Sequence, residues 1–139
     1  MFRWLTSRQH LTTCYLMYNP SICVTGGFGL VGSNVIALLN AKGIVPYVLE
    51  RWDTNSAAKW VNVRGLRFNL LDDIDALPYH ATIVHCAASV DTVESFSADL
   101  WANNVLLTKR MRAKAGKFIY MSSASVYGLA PSDFTERLD

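Results

Sequence analysis

Residues 24–32 read VTGGFGLVG, with Gly26, Gly27, Gly29 and Gly32 set around a single aromatic, Phe28. So little side chain in so short a stretch marks a place where the backbone turns sharply or approaches something closely. The flanks say where that place lies. Residues 22–25 form a short β-favouring run into the glycines, and Leu30, Val31, Val35, Ile36, Leu38 and Leu39 recur at helical spacing as far as a Lys42-Gly43 stop. The segment therefore predicts strand, tight turn and helix.

The rest of the chain keeps alternating. Residues 45–49 make a second apolar run, residues 64–71 a third that ends at the acidic Asp72-Asp73 turn, residues 81–86 (ATIVHC) a fourth and residues 117–121 (KFIYM) a fifth. Residues 95–115 contain neither Gly nor Pro and carry Leu100, Val105, Leu106 and Met111 among polar positions, which predicts one long helix closed by Gly116. Strands alternating with helices imply an α/β fold, with parallel strands joined by right-handed crossovers.

A chain of 139 residues that is 51% hydrophobic has enough apolar material for one packed domain. Its net charge of +2 comes from 13 basic and 11 acidic residues scattered along the chain, without the basic stripe that a nucleic acid would require. Cys14, Cys23 and Cys86 show no CxxC or Cys/His metal spacing and read as small buried hydrophobes of a reducing, cytoplasmic compartment. No apolar run approaches the ~20 residues of a bilayer span, so no membrane partner is expected. Residues 1–19 hold Arg3, Arg8 and several Ser/Thr but no acid, and Met17 opens MYNPSICVTGG. They are expected to be a poorly ordered extension, either of organellar-transit composition or an overextended start, with the domain proper at residues 20–139.

Glycines at the first turn of a βαβ unit permit the reversal, the close approach of a pyrophosphate and close packing of the helix on the sheet. Phosphates then sit on the free N–H groups of the helix N-terminus. Glu50, ending the second strand roughly 20 residues on, can accept from the ribose hydroxyls of NAD. Arg51 beside it suits the 2′-phosphate of NADP or an ordinary surface role. A tight turn that binds nothing is the alternative, and the absence of a Gly-Lys-Ser/Thr ending argues against an ATPase.

Four stretches in order, TGGFGLVG, HCAAS, NNV and YMSSASVYG, resemble the extended short-chain dehydrogenase/reductase family, the NAD(P)-dependent epimerases and dehydratases of nucleotide sugars. SNVIALLNAKG, and SSASVYG followed by SDF, are most similar to its ADP-heptose epimerase branch. The resemblance implies a Rossmann-like open parallel sheet of strand order 3-2-1-4-5, truncated here before the sixth strand. Gly26, Gly29 and Gly32 would form the phosphate turn, with Phe28, Leu30 and Val31 offering backbone N–H groups. Asn69 and Leu70 would stand beside the adenine, Asn69 replacing the usual Asp, and Ala87 and Ala88 would line the cofactor. Asn104 would steady the backbone near the active site, and Ser123 would hydrogen-bond the reacting sugar group. His85 reads as a structural histidine.

The family's base is a Tyr assisted by a Lys four residues on, because an unperturbed phenol near pKa ~10 stays protonated at neutral pH. The residues four positions after the six tyrosines here are Asn19, Ile22, Arg51, Ile83, Ala124 and Pro131, and none is Lys. The expectation is the cofactor half of such an enzyme, inactive alone, whose full-length form takes a nucleotide sugar and forms a homodimer. The rival is a non-catalytic dinucleotide-binding module or degenerate paralogue.

Overall fold

The computed structural model describes residues 21–51, 54–89 and 98–123. Five parallel strands form one sheet: β1 (Ile22–Thr25), β2 (Tyr47–Leu49), β3 (Asn69–Leu71), β4 (Thr82–His85) and β5 (Lys117–Tyr120). Their order, β3-β2-β1-β4-β5, is the one expected from the sequence. Val24 of β1 pairs with Val48 of β2 on one side and Val84 of β4 on the other.

Alternate residues of each strand point to opposite faces, and the three central strands are covered on both, which is why they are mainly apolar, while the edge strands β3 and β5 are largely exposed. On one face Cys23 and Ile83 pack with Ile74, Leu77 and Met111, and Leu49, Leu71 and Phe118 join them. On the other face Val24 and Val48 pack with Phe28, Ile36 and Val63, backed by Val35 and Leu39. Two cores thus sandwich the sheet.

Helix α1 (Leu30–Ala41) follows the glycines directly and buries Ile36 against the second core. It stops where the sequence predicts. Gly43 takes the left-handed φ of +76°, its N–H reaches the Asn40 carbonyl (2.9 Å), and the Ile44 N–H reaches that of Leu39 (2.9 Å). This pair of bonds satisfies carbonyls that the helix end leaves bare.

Three elements differ from the sequence expectation. Strand β2 starts at Tyr47 because Pro46 has no N–H to donate, although the Pro46 carbonyl accepts from Asn69 (2.9 Å). Strand β3 is only Asn69–Leu71, since Gly65 at φ +82° bends residues 64–68 away from extended pairing. Between β2 and β3 the sequence signals no helix, yet α2 (Thr54–Lys59) runs into a 3-10 turn, Trp60–Val63. TNSAAK has no apolar stripe, and the 3-10 turn that follows buries Val63 in the second core.

The long helix is present but not uniform. It consists of α3 (Ala98–Trp101), a π turn (Ala102–Leu106) and α4 (Leu107–Lys114), with Met111 buried. Asp73 caps a further short 3-10 turn, Ile74–Ala76, by accepting from the Asp75 N–H (3.0 Å). The reading of residues 1–19 as an extension lies outside the described residues. Among the described residues, no helix is long and apolar enough to cross a membrane.

Ile36 has no exposed surface, so deleting its side chain removes buried area and leaves a cavity at the centre of the second core. Ile36→Ala is expected to lower unfolding stability by about 3 kcal/mol, read from the urea midpoint at unchanged slope.

Candidate dinucleotide-binding site

Strand β1 has β2 on one side and β4 on the other, so the connections from β1 and β4 leave to opposite faces and a crevice opens beyond their carboxyl ends. A cleft of about 410 Å³ lies there, with the glycine turn, Glu50 and residues 86–89 around it. Its size is that of a small-molecule site.

The glycines divide by what each would cost. Gly26 has φ +65°, and a Cβ on it would lie 2.7 Å from the Ala87 Cα. A Cβ on Gly27 would meet Val48 Cγ1 at 2.6 Å, and one on Gly32 would run into the Gly26 carbonyl oxygen. The fold itself therefore requires these three. Gly29 is less constrained: its φ of −70° suits any residue, and a Cβ would press on the Gly26 oxygen at 3.3 Å, so that the turn would have to give slightly. Gly29 also lines the cleft, as Gly26 does, and the lack of a side chain there keeps the cleft open.

Gly29 is the N-cap of α1 and supplies no side-chain cap, and the first turn carries no acidic residue. The first N–H groups of a helix have no acceptor within it. Leu30 and Val31 are exposed and begin an uncapped, dipole-positive helix end; neither lines the cleft, which the helix meets at its N-cap, Gly29. Phe28 does otherwise. Its ring is fully buried and its N–H donates to Glu50 Oε2 (2.9 Å), so that group is directed to the carboxylate. Glu50 lines the cleft as well, so one carboxylate joins the glycine turn to the cleft wall. Arg51 and Lys59 stand on the same rim.

Asn69 and Leu70 are not brought to the cleft. They begin β3, and it is Asp72, Asp73 and Ile74, beyond the strand's carboxyl end, that line it. The acidic turn after the third apolar run was visible in the sequence, and the rule that ligands lie past carboxyl ends points to Asp72. Ala87 and Ala88 do line the cleft, together with Cys86 and Ser89. Ser123, exposed, follows β5 by three residues and is not part of the cleft wall. Tyr127 lies outside the described residues.

Asn104 acts through the loop rather than from the cleft. Its Oδ1 accepts from the Ser89 N–H (2.7 Å) and its Nδ2 donates to the Ser89 carbonyl (2.9 Å), while neighbouring Asn103 faces the cleft. Both sit in the π turn, a distortion often found at functional sites.

A buried polar chain joins this loop to the sheet. The Thr108 hydroxyl donates to the Asn104 carbonyl (2.8 Å), so towards His85 Nε2 (2.9 Å) it accepts, which puts the imidazole proton on Nε2. Nδ1 then accepts from the Thr25 hydroxyl (2.6 Å), and the Thr25 oxygen accepts from the Ala87 N–H (3.3 Å). Every partner is satisfied with a neutral ring. Burial holds the His85 imidazole below its ordinary pKa of 6.5. Burial also pushes the Cys23 thiol up to about 12 and raises that of Cys86, so both stay protonated. Cys14 lies outside the described residues. Among the described residues, no group of His, Cys, Asp and Glu gathers to hold a metal.

The doubly wound sheet, its switch-point cleft and the bare helix end over a glycine turn define an α/β domain of the dinucleotide-binding class. The family model described as NAD dependent epimerase/dehydratase family matches residues 22–139, and the chain belongs to that family. A curated relative, the ADP-L-glycero-D-manno-heptose-6-epimerase of Brachyspira hyodysenteriae (strain ATCC 49526 / WA1), is 32% identical over 132 residues, covering 83% of this chain and 41% of the relative. The chain thus spans less than half the length of that epimerase.

Among solved structures, a short-chain dehydrogenase/reductase superfamily protein of Agrobacterium tumefaciens with bound NAD aligns with a TM-score of 0.58 and 24% identity, over 78% of this chain and 34% of that one. A short-chain type dehydrogenase/reductase of Mycobacterium ulcerans aligns with a TM-score of 0.55 and 20% identity, over 81% of this chain and 54% of the other. Both share the fold.

Because folded His85 resists protonation, the unfolded chain takes up the extra proton as pH falls below 6.5. Stability present above that value is therefore lost as pH drops towards the lowered folded pKa. Urea midpoints at several pH values are expected to fall across this window for the parent and to stay flatter for His85→Gln; equal slopes would exclude the buried imidazole as the cause.

Proposed function

We propose that this chain is the cofactor-binding part of an NAD-dependent epimerase/dehydratase acting on a nucleotide sugar. The observation that carries the reading is the glycine turn that opens the uncapped N-terminus of α1 onto the switch-point cleft. The Leu30 and Val31 N–H groups would take the pyrophosphate, with Gly29 leaving room for it. Glu50 Oε1 would take the ribose hydroxyls, and a carboxylate there favours NAD over NADP, whose 2′-phosphate it repels. Ile74, Leu107 and Met111 offer an apolar wall for the adenine, and Asp72 an acceptor at its edge. Ala87 and Ala88 would let the dinucleotide pass across the ends of β1 and β4.

Bound nicotinamide supplies a hydride acceptor and donor for a sugar carbon. Asn104 and His85 hold the loop along which that cofactor would lie, and Ser123 would hydrogen-bond the sugar group undergoing transfer. With no Tyr-x-x-x-Lys among its 139 residues, the chain is expected to bind without turning over. Exposed Trp101 and Leu106 on the long helix support a homodimer through that face. The finer reading, an ADP-heptose epimerase, rests on the heptose-epimerase relative.

Calorimetric titration of the 139-residue chain with NAD and NADP tests the proposal. NAD is expected to bind, NADP about tenfold more weakly, a difference near 1.4 kcal/mol. Gly29→Val should abolish both while keeping the circular dichroism of the parent. Retained binding by a folded Gly29→Val chain would contradict the assigned phosphate position.

A further inference from the structure

Phe28, the lone aromatic of the glycine turn, is fixed from both sides of its backbone. Its N–H donates to Glu50 Oε2 (2.9 Å), and its carbonyl accepts from Asn62 Nδ2 (2.9 Å). Asn62 belongs to the 3-10 turn Trp60–Val63, between β2 and β3, and is itself exposed. The same turn supplies Trp60, whose ring meets that of Phe28 edge-on with centroids 5.4 Å apart, and Phe68 closes the cluster at 5.8 Å from Phe28.

What this geometry controls is a peptide plane. The Phe28 carbonyl and the Gly29 N–H belong to one rigid planar unit. Asn62 holds its oxygen, and the Gly26 carbonyl accepts from its N–H (3.1 Å). With both ends held, the unit that leads into the N-terminus of α1 has one orientation, and the donors that follow it are aimed before any ligand arrives. Aiming donors in advance removes an ordering cost from binding.

We propose that Asn62 is a positioning residue for the pyrophosphate: through the Phe28 carbonyl it orients the Phe28–Gly29 peptide and with it the phosphate-binding end of α1. The inference rests on the dinucleotide reading above. Asn62 does not line the cleft, so its effect is transmitted through the turn. A residue that only propped the domain would affect every ligand alike, whereas Asn62 acts on the phosphate turn and leaves the adenosine end, built from Glu50, Asp72 and Ile74, in place.

The test uses the full 139-residue chain, Asn62→Ala and Asn62→Asp, each titrated with ADP-ribose, which carries the pyrophosphate, and with adenosine, which lacks it. Asn62→Ala removes the donor; Asn62→Asp keeps the shape and sets an anionic oxygen against the carbonyl. The side chain is exposed, so at least one variant should keep the parent's circular dichroism. ADP-ribose affinity is expected to fall about tenfold or more, further for Asn62→Asp, with adenosine affinity unchanged. Unchanged ADP-ribose affinity, or equal losses for the two ligands, would overturn the inference while leaving the dinucleotide reading intact. No ADP-ribose binding by the parent chain would overturn both.

Discussion

The arrangement depends on how closely two backbone segments approach at the ends of β1 and β4. Gly26 stands against Ala87 with no room for a Cβ, and Gly32 brings the first turn of α1 up beneath the Gly26 carbonyl. These contacts set the helix end at the carboxyl ends of the central strands, and a side chain at either position would push α1 away. Gly27 does the same job against Val48. The cradle is therefore a packing requirement first, and Gly29, the least crowded of the four glycines, is the one that also bounds the cleft at the helix N-cap.

The second loop around the cleft is held by polar chemistry instead. Thr25, His85, Thr108 and Asn104 form one chain of hydrogen bonds from the end of β1 to the π turn, and Asn104 closes it on Ser89. Buried groups of this kind are costly unless each finds its partner. Here each does, provided the imidazole is neutral. That makes His85 a buried brace behind the cleft wall, and explains how a histidine can end a strand after an isoleucine-valine run.

Much of this was legible in the sequence because it follows local rules. The run into the glycines, the apolar spacing of α1 and the Gly43 stop are each set within a few residues, and β1 and the end of α1 lie where those rules put them. The strand order followed from alternation plus the resemblance. What was not legible came from tertiary placement. Nothing in TNSAAK announces α2, which leads into the 3-10 turn whose Val63 joins the second core. Asn69 and Leu70, which the resemblance sets beside the adenine, open a strand that pairs only from Asn69 onward, and Asp72, Asp73 and Ile74 beyond it line the cleft. Asn62 carries no signal at all: its partner is 34 residues away. The Phe28 N–H, which the resemblance offers to a phosphate, is taken by Glu50, a partner 22 residues away.

The central claim is that the N-terminus of α1, aimed by the glycine turn, receives a pyrophosphate. Backbone amide NMR shifts of the 139-residue chain during titration with NAD test it most directly. The account predicts the largest shifts at Gly29, Leu30 and Val31, with smaller ones at Glu50 and at residues 87–89. Shifts absent from residues 29–31, with NAD bound elsewhere or not at all, would contradict it.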